Sequence, residues 1–540
     1  MLAVQSDNEI KIYDGYLFKE SVKEIDGRYY DGLDKAWCVP LTEKNVALLS
    51  MLGAELDEEL KKYLVASKSD CEAEAPIEPM PIKATPYKHQ IKGFNFALQA
   101  LGKGKAVAYL MDMGAGKTIT TIAVVGRLFN QGKIRKLLVV APKTIVGVWE
   151  EEYLKFADYN YHLAILDGNS DKKIETIQNM FGLALQIIVV NYESCWRLEN
   201  ELATWQPDMI VCDESSKIKN AQAKQSKALH RLGKKSKYNV ILTGTPIVNS
   251  PLDFFSQYKF LDENIFGGSF YSFRAKHAIL GGYMQRQIVG YRSMAEMLTK
   301  AHEIAYRIKI EDAVDLPPFI DETRAINLES RAKAIYDSID KDSYAELMSG
   351  EITTRNVLTR LLRLSQCTGG YIRNDTDSVV QEVSRAKIEA LEDIVDTCLN
   401  EDKKVVVFAR FVPEIEAIEK MLKSKQIGYS LIMGSVKDRA EQVTKFQIDP
   451  NVKVFVGQLQ TTGMGITLTA ASLAVFYSLD FNYANYEQSR ARIHRIGQSK
   501  KTLYIHLVAK GTVDEKIMQA LKHKGDIAKL MVDDYKKLLN

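Results

Sequence analysis

Residues 106–118 read AVAYLMDMGAGKT, a short apolar run that ends in a glycine-flanked Lys-Thr pair. The run has the length and composition of a buried strand, and the glycines break it before Lys117 and Thr118 open a helix. A triphosphate needs backbone N–H groups, a helix N-terminus and an ammonium converging on its oxygens. The Gly114-Ala115-Gly116 turn lets the backbone come that close. Lys117 is then placed to reach the β- and γ-phosphates, with the Thr118 hydroxyl on Mg²⁺. The strict phosphate-loop spacing asks for glycine at 111, where this chain has Met111. On this stretch alone, a Gly-rich turn that binds nothing stays open.

Further apolar runs follow at 137–142 (LLVVAP), 187–191 (IIVVN), 209–214 (MIVCDE) and 240–246 (VILTGTP). They are continuous rather than alternating, which predicts strands of a parallel sheet covered on both faces. Their polar residues fall at the carboxyl ends, where open α/β sheets hold their ligands. Asp213-Glu214 ends such a run. Beside a phosphate loop, Asp213 is a candidate for the Mg²⁺ shell and Glu214 for orienting and deprotonating an attacking water. An acid capping the next helix is the competing account. Upstream, Gln90 in PYKHQ (86–90) carries an amide able to pair with adenine N6 and N7, which favours ATP over GTP.

A second strand-rich set begins at KVVVFAR (404–410) and continues through YSLIM (429–433), KVFVG (453–457), LAVFYS (473–478) and LYIHLV (503–508), with no second GKT. Two α/β lobes with one phosphate loop leave the second lobe to supply something else. Its best candidates are Arg492 and Arg495 in QSRARIHRIGQ (488–498). Three residues apart, they are predicted to share a helical face and to stabilise charge developing on a γ-phosphate. Between the sets, 251–320 and 328–399 show helical periodicity and aromatics, and read as helical protrusions joined by a linker near 314–318.

The 540 residues allow three or four domains. Six scattered cysteines form no Cys-x-x-Cys pair, so neither a zinc ribbon nor a disulfide framework is indicated. The N-terminus lacks the apolar core of a signal peptide and no apolar stretch reaches spanning length, so no membrane association and a cytoplasmic location are expected, a nuclear one being second. Net charge is only +3, but between Glu214 and Asp253 no acid occurs while Lys217, Lys219, Lys224, Lys227, Arg231, Lys234, Lys235 and Lys237 accumulate. A solvated helix face and a phosphate-backbone contact both fit that run. Residues 1–75 read as a separate small α+β block, strands before helices. Its Tyr29, Tyr30, Lys35 and Trp37 suit sheet packing better than strand clamping, and a proline-rich linker over 68–86 follows.

Taken in order, these motifs resemble those of superfamily-two helicase-like ATPases of the Swi/Snf family, whose members are double-stranded-DNA translocases. The resemblance rests on YKHQ (87–90), DMGAGKT (112–118), Pro142 with Trp149-Glu150-Glu151-Glu152, DESSKIKN (213–220) and LTGTPIVNSPLDF (242–254). In the second lobe it rests on RLLRLSQ (360–366), VVVFARF (405–411), TTGMGITLTAAS (461–472), QSRARIHRIGQ (488–498) and KGTVDEKI (510–517). It implies an α/β fold of two tandem RecA-like parallel-sheet lobes with helical protrusions. The expected boundaries are a small N-terminal domain at 1–75, lobe 1 at 76–320 with a protrusion at about 251–315, and lobe 2 at 321–540 with an insertion at about 328–399. It implies ATP and Mg²⁺ as cofactors, with ATP contacts at Gln90, Gly114, Gly116, Lys117, Thr118, Asp213, Glu214, Gln488, Arg492 and Arg495; the loop's Ala115 belongs with these. DNA-backbone contacts are implied near Lys143, Thr243, Thr245, Gly434, Thr461 and Thr462. The expected partner is double-stranded or branched DNA and the expected state a monomer. The chain departs from the family at Ser216, where a histidine is usual, and at Asp112 and Ala115, where Glu and Leu are common. Bromodomain-like, chromodomain-like, zinc-finger and nuclease blocks are absent, which points to a compact bacterial or viral protein. An RNA-dependent member of the superfamily and an ATP-switched clamp with little turnover are the alternatives.

Overall fold

The computed structural model describes residues 76–532 apart from 105, 282–286, 349–353, 374–379, 435, 437 and 463–465. Of the first 75 residues it describes 2–6, 8–13, 22, 25, 27–32, 34–42, 45–46, 49, 54–57 and 59–60; side chains are not described for 55, 341–358, 373, 462 and 527–532. The chain separates into two compact units, one formed by Met1–Ala313 with His523–Asn540, the other by Val314–Lys522.

The first unit opens with β1 (Leu2–Ser6), β2 (Glu9–Tyr13), β3 (Tyr29–Asp31), β4 (Ala36–Pro40) and β5 (Glu55–Leu56), in the order β3-β4-β2-β1-β5. Strands precede helical turns as expected, but Glu55–Leu56 pairs in parallel with β1 where helix alone was predicted. The segment 41–65 carries Leu48, Met51, Leu52, Leu56 and Leu60 at the three- and four-residue steps of a helix; of these, Leu48, Met51 and Leu52 lie outside the described residues. Trp37 packs against the core of this sheet and meets Tyr30 edge-on at 5.4 Å, which is the packing role. The expected linker falls partly on residues 61–75, outside the described set, and 76–86 contains no helix or extended strand.

The main sheet of the first unit has seven parallel strands in the order β14-β6-β11-β10-β7-β9-β8. They are β6 (Val107–Met111), β7 (Lys136–Ala141), β8 (Tyr161–Ile165), β9 (Leu185–Asn191), β10 (Met209–Asp213), β11 (Tyr238–Leu242) and β14 (Ala305–Ile308). Every residue of β6, β10 and β11 is buried, which is why these strands read as uninterrupted apolar runs. The expected helical protrusion at 251–315 is corrected in part. It contains helices but also the antiparallel pair β12 (Ala278–Gly281) and β13 (Gln287–Tyr291), and β14, which completes the main sheet.

The second unit holds six parallel strands ordered β15-β22-β21-β18-β20-β19. They are β15 (Phe319–Ile326), β18 (Val405–Ala409), β19 (Gly428–Ile432), β20 (Val452–Gln458), β21 (Leu473–Phe476) and β22 (Thr502–Ala509). A short antiparallel pair, β16 (Tyr371–Arg373) and β17 (Val380–Glu382), sits in the otherwise helical insertion. Helices cover both faces and build two apolar cores. Among the described residues no helix is long and apolar enough to cross a membrane.

Candidate nucleotide and nucleic-acid site

In the first unit β6, β11 and β10 are neighbours, so the segments leaving their carboxyl ends emerge side by side. These segments are the phosphate loop, the Thr243–Pro246 turn and Asp213-Glu214. Gly114 and Gly116 have φ of 83° and 86°, a left-handed conformation that side-chain-bearing residues seldom adopt. A Cβ on Gly116 would lie 2.2 Å from the Gln90 amide nitrogen. The helix Lys117–Asn130 follows directly, with Thr118 half-buried in its first turn. Lys117 Nζ donates to the carbonyls of Met111 (2.9 Å) and Asp112 (3.2 Å), folded onto its own loop.

The loop is braced from outside. His89 Nε2 meets the Ala115 carbonyl at 2.7 Å, and burial lowers the pKa of that imidazole. Gln90 is buried, and its Oε1 accepts from Tyr87 N at 3.0 Å. Half of the amide expected to read adenine therefore also caps its own helix. Asp112 accepts from Arg307 at 2.6 Å and from Ile310 N at 3.1 Å, while Arg307 also donates to Leu110 O. The aspartate that departs from the family pattern thus ties the loop to β14.

Asp213 is buried, and its two oxygens accept from Trp149 Nε1 and Glu214 N, each at 2.9 Å. Burial, then the Glu214 carboxylate, push its carboxyl up to about 7, against the pull of the Lys117 ammonium and the two N–H donors. A buried carboxylate with this demand for positive charge fits a divalent cation, and Thr118, in the first helical turn after the phosphate loop, offers a hydroxyl. Glu214 is also buried and has φ of 52°, so a left-handed residue follows the strand directly. In the turn beyond β11, Thr243 Oγ1 accepts from Thr245 N at 3.1 Å. A Cβ on Gly244 would lie 3.3 Å from Met111 O, so this turn lies against the phosphate loop. Lys143 is exposed just past β7. In the basic run, Arg231 pairs with Glu199, Lys234 pairs with Glu263 and Lys224 lies over Trp196, which accords with a solvated face.

In the second unit Gly434 follows β19 and Thr461 and Thr462 follow β20, all at carboxyl ends; Thr461 donates to Gln458 at 3.1 Å. The expected helix through the arginines is corrected. The helix Tyr483–Arg490 stops short, and Arg492 and Arg495 lie in the turns beyond it, where Gly497 has φ of 98°. They still converge, because both donate to the Ile466 carbonyl, at 3.3 and 3.2 Å. Gln488 is buried and its carbonyl accepts from Arg492 Nε.

Sequence reasoning did not assign roles to Trp149, His89, Arg307 or Gln257. Trp149 and His89 sit inside motifs already quoted. Arg307 and Gln257 carried no local signal, since Asp112, which Arg307 meets, and Ser215, which donates to Gln257, lie far away in sequence.

Two family models match in tandem. The SNF2-related domain matches residues 89–369, more than half of the chain, and the helicase conserved C-terminal domain matches 386–497. The chain belongs to the SNF2-related family. It is 25% identical over 476 residues to the CHD3-type chromatin-remodeling factor CHR7 of Arabidopsis thaliana, covering 84% of this chain and 38% of that protein. It is 24% identical over 500 residues to a DNA repair and recombination protein RAD54-like of Drosophila virilis (83% and 63%). An uncharacterized ATP-dependent helicase MG018 of Mycoplasma genitalium is 26% identical over 454 residues (83% and 42%). The chain thus spans about two fifths to three fifths of the length of these relatives. Among solved structures, the Sulfolobus solfataricus SWI2/SNF2 ATPase core in complex with dsDNA matches at 26% identity with a TM-score of 0.40, over 86% of this chain and 96% of that one.

Proposed function

We propose that this SNF2-related chain is a DNA-dependent ATP hydrolase that couples hydrolysis to movement along duplex or branched DNA. The observation that carries the reading is the meeting of phosphate loop, acidic pair and Thr243–Pro246 turn at the carboxyl ends of three adjacent strands. In this reading Lys117 leaves Met111 O and Asp112 O to bind the β- and γ-phosphates, and Gln90 borders the base. Thr118 and Asp213 hold the Mg²⁺, which screens phosphate charge when bound. Glu214 orients the attacking water and takes its proton. Arg492 and Arg495 stabilise charge on the departing phosphoryl group, with Gln488 supporting them. Lys143, Thr243 and Thr245 from lobe 1, and Gly434, Thr461 and Thr462 from lobe 2, take the phosphates of the DNA backbone. The affinity is therefore independent of sequence and falls with salt. Residues 1–75 serve as an accessory domain; the lobes expected at 76–320 and 321–540 follow the two structural units instead, the first breaking off at Ala313 and resuming at His523, the second running from Val314 to Lys522.

The names of the relatives, DNA repair and recombination protein and chromatin-remodeling factor, support DNA as the partner. The test is steady-state ATP hydrolysis by the wild type and Glu214→Gln, without nucleic acid and with single-stranded, duplex or forked DNA or RNA. Stimulation by duplex or forked DNA, lost in the variant with ATP still bound, is expected. Greater stimulation by RNA, or turnover in Glu214→Gln, would refute the reading.

A further inference from the structure

The family's usual histidine is missing at Ser216, yet the residue before it makes a buried connection. Ser215 Oγ donates to Gln257 Oε1 at 2.7 Å. The amide nitrogen of the same Gln257 donates to the carbonyls of Pro246 (2.8 Å) and Asp253 (2.9 Å). Ser215 and Gln257 are both fully buried. One amide therefore joins three segments: the residue after Glu214, the end of the Thr243–Pro246 turn, and the start of the helix Phe254–Leu261. The same stretch is pinned again by Asp253, whose Oδ2 accepts from Val248 N and Asn249 N at 2.9 and 2.8 Å.

Gln257 is the wrong residue for mere filling. A fully buried amide costs free energy unless its groups are matched, and here three hydrogen bonds match it, two to other segments and one to the start of its own helix. The backbone it secures is unusual as well. Glu214 sits at φ 52°, held on its N-terminal side by its own N–H on Asp213 Oδ1 and followed directly by Ser215 on Gln257. A glutamate in that conformation keeps its direction only if the chain on both sides is fixed. At the other end of the link, Thr245 Oγ1 is buried with no hydrogen-bond partner among the described residues.

We propose that Gln257 is a positioning residue that holds Glu214 in register with the Thr243–Pro246 turn. The inference rests on the hydrolase reading above. A change at the turn, as when a backbone phosphate engages it, reaches Glu214 through two hydrogen bonds and one side chain. Gln257 is fully buried and acts through Ser215 and Pro246 rather than on a ligand directly.

Gln257→Leu removes the polar link at similar size, and Ser215→Ala removes a single oxygen from its other end. In each variant kcat for ATP in the presence of duplex DNA is expected to fall about tenfold, the size of one buried hydrogen bond lost from a positioned base. Nucleotide affinity, read by titration with a fluorescent ADP analogue, is expected to stay within about twofold, because the phosphate loop is untouched. The double variant is expected to fall no further than Gln257→Leu alone, since both changes cut one path. A packing role alone would lower the melting temperature and leave kcat, measured well below it, at the wild-type value. Wild-type kcat in either variant, losses that multiply in the double variant, or an equal loss of nucleotide affinity would each overturn the assignment. Ser215→Ala keeps the test decisive if Gln257→Leu does not fold. A wild type that hydrolyses no ATP would instead sink the hydrolase reading, which is a separate outcome.

Discussion

Glu414→Gln should flatten the pH dependence of the second unit's stability. Glu414 opens the helix Val412–Ser424 and is buried. Its Oε2 accepts from Arg410 N and Phe411 N, each at 3.1 Å, and from Ser478 Oγ at 2.5 Å, while Oε1 has no hydrogen-bond partner among the described residues. Burial pushes the carboxyl from 4.5 up to about 7, and these donors counteract it only in part. Because the folded-state value is raised, the folded protein keeps the proton between pH 4.5 and 7 while the unfolded chain releases it. The associated stability is present in full below pH 4.5 and is lost as pH rises towards 7. At about 1.4 kcal/mol per pH unit, the loss is about 3 kcal/mol across that window. For a unit of this size that is on the order of 10 °C in melting temperature. Glutamine retains the acceptor oxygen for the three donors and does not titrate. Thermal melts of both proteins from pH 4.5 to 8 are the assay. The wild type should lose several degrees relative to the variant as pH rises, with the gap constant above about pH 8. Parallel curves would show that Glu414 carries no proton in the folded state and would refute the reasoning.

The remaining predictions concern the proposed site. Lys117→Ala should abolish nucleotide binding or turnover, because no other ammonium is carried on the loop; calorimetric titration with ATP checks it, and retained turnover would contradict the assignment. Arg492→Ala and Arg495→Ala should each lower turnover by about two orders of magnitude or more with modest change in ATP affinity, as expected of groups acting on the transition state. Comparing kcat with nucleotide Kd decides this, and equal losses in both would argue against that role. Trp149→Phe keeps the ring in its buried position but removes the donor to Asp213 Oδ2, a bond worth about 1.5–3 kcal/mol when the acceptor is charged. The Mg²⁺ concentration needed for half-maximal hydrolysis should shift by about tenfold or more, and an unchanged midpoint would show that Trp149 does not orient a metal-binding carboxylate.

What could be read from the amino-acid order follows from how each strand is buried. Strands β6, β7, β9, β10 and β11 are covered on both faces and announced themselves as uninterrupted apolar runs. Within the two main sheets, the strands that escaped notice, β8, β14 and β15, all lie at sheet edges. Five of the first six positions of β15 are exposed, so FIDETRAI shows neither a continuous run nor a strict alternation. An edge strand needs only one partner, and its sequence need only tolerate water. The site divides along the same line. Gly114, Gly116, Lys117, Asp213 and Glu214 were legible because each must stand a fixed number of residues from the end of a buried strand. Arg307 and Gln257 were not, because Asp112, which Arg307 meets, is 195 residues away and Ser215, which Gln257 meets, is 42 away. Ser216 shows where pattern reading turns misleading. A motif with one letter changed suggests a lost connection, whereas the neighbouring letter can carry a connection of its own, provided a polar side chain on another helix stands where it can meet it. Ser215 with Gln257 meets that condition. A departure from a motif is therefore better read as a search instruction, pointing to buried polar side chains within hydrogen-bond reach of the altered position, than as evidence that function is impaired.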